Sequence, residues 1–190
     1  MKRNLLYLII AVALCGCGAS RPAGSLPDNG NAAKVAKKKA TVSADDEGYW
    51  WLYGPDKSVV AKVYVERGST RPDAFHEGLI RILSDDDLRI GFADEEGRII
   101  IEPSFLAATS FRGEFAAVVP YSESAAVSAT DDAAVGVLTG NEHWGIIDAT
   151  GRYRRNPVFK REWNDQVADY VYVSPTNTFW ITENGDMKGF

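Results

Sequence analysis

The sequence predicts an all-β protein, built of stacked β-hairpin repeats that follow an apolar leader and a flexible tether. Three observations carry this. From Gly48 onward the apolar segments are short, rich in β-branched and aromatic residues, and separated by turn signals. All five tryptophans, all eight phenylalanines and seven of the eight tyrosines lie in that part. In three places a glycine also stands three residues after an acidic or hydroxyl residue at the end of an apolar segment.

The first element is residues 1–16. Met1-Lys2-Arg3, an apolar run from Leu5 to Leu14 and the small residue Gly16 follow the order of a secretory signal peptide. The run is well short of the roughly 20 residues a membrane-spanning helix needs. Leu14-Cys15-Gly16-Cys17 resembles the lipobox of bacterial lipoprotein precursors. That resemblance implies that Cys17 receives a diacylglyceryl group and becomes the mature N-terminus. One acyl chain holds a membrane only marginally, whereas two or more anchor stably, at about 0.8 kcal/mol per buried CH2. In Gram-negative lipoproteins an Asp after the lipidated cysteine favours the inner membrane, so by resemblance Gly18 points to the outer one. The plainer alternative makes Cys15 and Cys17 apolar filler in a secretory peptide cut near Ala19.

Cleavage would leave no thiol for a disulfide or a metal. His76 and His143 are too few for a histidine-based metal cluster, and no metal or cofactor is expected. Losing Lys2 and Arg3 takes the net charge from −5 to −7, which argues against nucleic acid as a partner. Residues 17–47 are poor in large apolar side chains and read as the lipidated N-terminus with a disordered tether. Lys34, Lys37, Lys38 and Lys39, then Asp45, Asp46 and Glu47, read as solvated linker charge.

Residues 48–190 form the β domain. Gly91-Phe92-Ala93-Asp94-Glu95-Glu96-Gly97 leads to Glu102-Pro103-Ser104-Phe105. Trp144-Gly145-Ile146-Ile147-Asp148-Ala149-Thr150-Gly151 leads to Asn156-Pro157-Val158-Phe159, and Phe179-Trp180-Ile181-Thr182-Glu183-Asn184-Gly185 starts the same way. Glycine supplies the positive φ of a tight turn, and the Asp or Thr accepts hydrogen bonds from the turn backbone. A second piece recurs at Phe75-His76-Glu77-Gly78-Leu79 and Phe111-Arg112-Gly113-Glu114-Phe115, 36 residues apart. Gly151 to Gly185 spans 34 residues but Gly97 to Gly151 spans 54, so residues 121–141 are an insertion. A first unit over 49–65 has Pro55-Asp56-Lys57 where the turn glycine would stand.

These residues resemble the WG-containing repeat family, found in bacterial surface and periplasmic proteins. Trp144-Gly145 through Gly151 carries the likeness most closely, and Ile90-Gly91 through Gly97 with Ile99-Ile100-Ile101-Glu102-Pro103 less so. The resemblance implies hairpin repeats without a common catalytic site, hence a role in binding or scaffolding. A repeat unit cannot bury its own apolar face, so Phe92, Ile146 and Trp180 should meet in a shared core. Tyr49, Trp50, Trp51 and Tyr53 cannot all face inward from one strand, which makes them candidate binding aromatics for sugar rings or peptides.

Catalytic signatures are lacking. Asp85-Asp86-Asp87 has neither the mid-loop glycine nor the distal glutamate of a calcium loop and reads as a polar turn. His76-Glu77 and Glu142-His143 are strand neighbours pointing to opposite faces. No Gly-x-Ser-x-Gly elbow or phosphate-binding glycine loop occurs. The expectation is a membrane-anchored, non-catalytic module for an envelope protein or glycan. An envelope-polymer hydrolase using Asp or Glu, and an immunity-type inhibitor lipoprotein, are the alternatives.

Overall fold

Among the described residues, twelve antiparallel strands run as one meander, each pairing with its neighbours in chain order. The computed structural model describes residues 38–122, 138 and 141–190, and contains no helix among them. The strands are β1 Thr41–Ala44, β2 Trp50–Tyr53, β3 Val59–Val63, β4 Leu79–Leu83, β5 Ile90–Asp94 and β6 Ile99–Ala108. They continue as β7 Phe115–Pro120, β8 Trp144–Asp148, β9 Tyr153–Asn164, β10 Asp169–Ser174, β11 Asn177–Ile181 and β12 Met187–Gly189. The all-β expectation holds. Residues 1–37, with the signal segment, Cys17 and most of the tether, lie outside the described residues, as does most of 121–141. The strands flanking that insertion nevertheless pair directly, with Ala117 opposite Ile146.

β4, β5 and β8 are buried along their whole length, which a sheet with one wet face does not permit. The reason is that successive strands serve successive cores. Ala40, Leu52, Val63, Ile80, Ile82 and Ala93 form the first core. Leu79, Leu83, Ile90, Phe92, Phe105, Phe111, Val118 and Ile147 belong to the second. Leu106, Ala117, Trp144, Ile146, Phe159, Tyr172, Phe179 and Ile181 belong to the third. Alternate side chains of a strand point to opposite faces. Thus β4 sends Ile80 and Ile82 to the first core and Leu79 and Leu83 to the second, and β8 sends Ile147 back to the second and Ile146 on to the third. Burying a side chain such as Phe92 contributes on the order of 1.5–3 kcal/mol.

This arrangement corrects the shared-core expectation. Phe92 and Ile146 occupy equivalent positions but face different cores. Trp180 faces none of the three; it is half-buried and packs on Phe190 with ring centroids 4.9 Å apart. No described strand covers that face. The start of the domain also differs from the expectation. β1 lies within the span read as tether, its register runs from Thr41 opposite Tyr53 to Ala44 opposite Trp50, and Ala40 is buried. Asp45-Asp46-Glu47-Gly48 is the hairpin turn between β1 and β2, with Gly48 at φ +89° and the Asp45 carboxylate accepting from the Glu47 and Tyr49 amides. It has the chemistry of Asp94-Glu95-Glu96-Gly97, whose charge run alone resembles linker. In the turn after β2, Lys57 adopts φ +68° in place of the missing glycine.

Gly91 and the following Pro103 have one cause. Between β5 and β6 the register jumps from Ile90 opposite Phe105 to Phe92 opposite Ile101, so Glu102, Pro103 and Ser104 bulge. Proline is tolerated at a bulge because no ladder donor is required there. The bulge presses on Gly91, where a Cβ would stand 2.5 Å from the Ile101 carbonyl oxygen and 2.6 Å from the Pro103 nitrogen. Asn156, Pro157 and Val158 bulge in the same way between Phe159 and Arg155, opposite Gly145. In the last hairpin Phe179 replaces that glycine, and Gly189 stands across from it.

Candidate functional site

The turn residues singled out from the sequence bind their own backbones. The Asp94 carboxylate accepts from the Glu96 and Arg98 amides at 3.0 and 2.9 Å and pairs with the Arg98 guanidinium. Burial pushes its pKa up, but these bonds outweigh that and hold it below the usual range. Asp148 accepts from the Thr150 hydroxyl at 2.6 Å and from the Thr150 and Arg152 amides, with Arg154 3.0 Å away. The Thr150 bond leads in lowering its pKa. Gly97, Gly151 and Gly185 close their turns at φ +79°, +81° and +84°. Proton transfer needs a pKa near ambient pH, and neither carboxylate is tuned that way.

The four clustered aromatics divide as strand alternation requires. Trp50 is partly buried and packs against the first core. Tyr49 is exposed, with the Lys62 ammonium 4.1 Å from its ring centre. The Trp51 indole donates to Asp45 at 2.7 Å, a bond that lowers the Asp45 pKa. Tyr53 is half-buried. Two shallow recesses flank Lys62: one of about 210 Å³ walled by Trp51 and the Ser84–Asp87 turn, one of about 170 Å³ walled by Tyr49, Trp50 and Leu83.

A larger groove, about 320 Å³, opens where the loop after β3, the β6–β7 turn and strands β9, β10 and β11 converge. Three arginines line it. Arg81, on β4, is buried and fully used: its Nε and one terminal nitrogen grip Asp73 at 2.9 and 3.0 Å, and the other donates to the Ala108 carbonyl at 2.9 Å. It also lies 4.3 Å from the Tyr64 ring. Desolvation disfavours its charge, but Asp73 more than compensates. Arg81 therefore clamps the loop after β3 to the sheet. Arg112, in the β6–β7 turn, pairs with Asp169 at the start of β10 and donates to the Ile181 carbonyl.

Arg161 is different. Its guanidinium lies 3.8 Å from the Tyr170 ring centre and 4.9 Å from that of Trp144. Its buried Nε has no hydrogen-bond partner, and among the described residues no carboxylate pairs with it. Strand geometry explains its place. Phe159, Arg161 and Trp163 share one face of β9, and Tyr172 and Tyr170 stand opposite Arg161 and Trp163 on β10. Phe159 and Tyr172 belong to the third core, while Trp163 and Tyr170 are exposed and pack edge to face at 5.4 Å. Arg161 stands where this row passes from core to groove. Burial raises the Tyr172 pKa against the pull of Arg161 and Arg112, and the phenol oxygen accepts a hydrogen bond from the Arg161 guanidinium.

Sequence reasoning passed over this groove. The alternation Phe159-x-Arg161-x-Trp163 against Tyr170-x-Tyr172 was the available signal. Among the described residues no group of three or more His, Cys, Asp or Glu is placed to hold a metal ion. The WG containing repeat family matches residues 90–119, which comprise β5, β6 and all of β7 but its last residue and show one three-stranded repeat. No curated protein matches the chain.

Proposed function

We propose that the chain is a bacterial envelope lipoprotein, anchored through Cys17 at the outer membrane, whose repeat domain is a non-catalytic binding module for an envelope protein or glycan. Leu14-Cys15-Gly16-Cys17 supports the anchor. The groove supports the binding role: it is walled by arginines and aromatics drawn from several hairpins, and the matched repeat forms one side of it. The acidic turn residues Asp94 and Asp148 are spent on backbone amides and arginines, which leaves them structural. Mass spectrometry of the N-terminus, with fractionation of cells carrying wild type or Cys17→Ala, tests the anchor. Wild type should yield an acylated peptide beginning at Cys17 and sediment with membranes, and Cys17→Ala should be released. An unmodified N-terminus at or beyond Gly18 would overturn the reading.

A further inference from the structure

We propose that Arg161 anchors a site for a single carboxylate, so that the groove takes a ligand bearing one such group, either an acidic sugar or a peptide C-terminus. The inference rests on the binding-module reading and adds the ligand's chemistry.

Charge arrangement carries the first step. Asp73 and Glu66 lie against Arg81, and Asp169 lies against Arg112. Arg161 is the cation left over. Its charge is partly desolvated by Trp144 and Tyr170, and a desolvated cation gains strongly from an incoming anion. Geometry carries the second. Two aromatic rings hold the guanidinium, and its planar fork matches the two oxygens of a carboxylate. The acids on the rim carry the third. Glu66 and Asp169 repel a second negative charge on the ligand, so a monocarboxylate is favoured over a phosphate dianion. The exposed Tyr170 ring offers a flat face to the ligand's body.

The test uses the full chain in detergent and follows the Trp144 indole NH resonance, because Trp144 lies directly beside Arg161. The probes are glucuronate, N-acetylalanine, the uncharged N-acetylalanine amide, methyl glucoside and inorganic phosphate. Glucuronate, N-acetylalanine or both should give a saturable shift, while the amide and the glucoside should give none and phosphate a weaker one. A response to glucuronate alone identifies an acidic sugar, and a response to N-acetylalanine alone identifies a peptide terminus. Arg161→Gln should weaken binding about tenfold or more, and Arg161→Lys should also weaken it by losing the fork. The proposal is overturned if neither carboxylate shifts the resonance, if the amide binds as well as the acid, or if Arg161→Gln titrates like wild type. The amide comparison is made on wild-type protein and holds even if a variant fails to fold. Failure here with Cys17 acylated and the chain sedimenting with membranes would remove the carboxylate site and leave the lipoprotein reading intact.

Discussion

Three glycines separate two reasons for glycine that are usually confounded. Gly78 sits at φ +77° with nothing within 4 Å of an added Cβ, so Gly78→Ala tests backbone conformation alone. Gly91 has no positive φ, but its Cβ would meet backbone at 2.5 Å, so Gly91→Ala tests contact alone. Gly185 has both: φ +84°, and a Cβ that would stand 2.5 Å from Gly113 Cα and 2.8 Å from the Arg112 carbonyl oxygen. A left-handed conformation costs alanine about 1–2 kcal/mol, offset by about 0.4–1 kcal/mol from a less flexible unfolded chain. Gly78→Ala should therefore destabilise by about 1 kcal/mol. Forcing atoms into a packed site costs about 1–3 kcal/mol. Backbone yields less readily than a side-chain end, which puts Gly91→Ala near the top of that range, at about 3 kcal/mol. Gly185→Ala should approach the sum, about 4 kcal/mol, since the two costs arise from different terms. Urea denaturation followed by circular dichroism reads all three, with Tm falling about 2–4 °C per kcal/mol for a domain of this size. A Gly185→Ala loss no larger than that of Gly78→Ala would refute the claim that the β6–β7 turn and the turn after β11 touch backbone to backbone.

Other outcomes follow from the same contacts. Arg81→Gln leaves the Asp73 carboxylate buried without its partner and should cost about 3–5 kcal/mol in urea titrations. Deleting residues 38–44 removes β1 and uncovers Leu52 and Val63; a midpoint unchanged from wild type would show that β1 contributes nothing, against an expected loss of at least about 2 kcal/mol. Asp45, Asp56, Asp86, Asp94 and Asp148 all have pKa values lowered by folding. The unfolded chain therefore binds protons first as pH falls, so their contribution is complete above the unfolded value, near 3.9, and drains away below it. Tm measured from pH 7 downward should hold to about pH 5 and then decline progressively, most of the loss coming below the unfolded value.

The β class, the order of the hairpins and the glycine turns were legible because they rest on local chemistry. Asp94, Asp148 and Thr182 each accept an amide hydrogen within the same turn, so the reason for each residue lies within four positions of it. Gly91 and Pro103 were both visible as recurring residues, but the cause joining them is a bulge across two strands. β1 was hidden because Asp45-Asp46-Glu47-Gly48 has the composition of a linker, and Thr41–Ala44 turns little apolar surface to the core. The sharing of strands β4 to β8 between two cores was not legible either. Phe92 and Ile146 occupy equivalent places in their units, and only the coiling of the meander sends them to different neighbours.

The groove forms where the repeat departs from the pattern of its matched unit. In the matched unit, β7 brings Ala116, Ala117 and Val118 to full burial between the second and third cores. Its counterpart β10 carries Tyr170, Val171 and Tyr172. Tyr172 fills the third core, Val171 is buried on the opposite face, and Tyr170 is left standing over Arg161 at the solvent edge. Tyr170 and Tyr172, standing where the matched unit has Ala116 and Val118, both line the groove. A sequence locally consistent with its fold breaks its own pattern where function is added. Restoring the β7 pattern, with Tyr170→Ala and Tyr172→Val together, should therefore abolish carboxylate binding while leaving the β circular-dichroism signal in place.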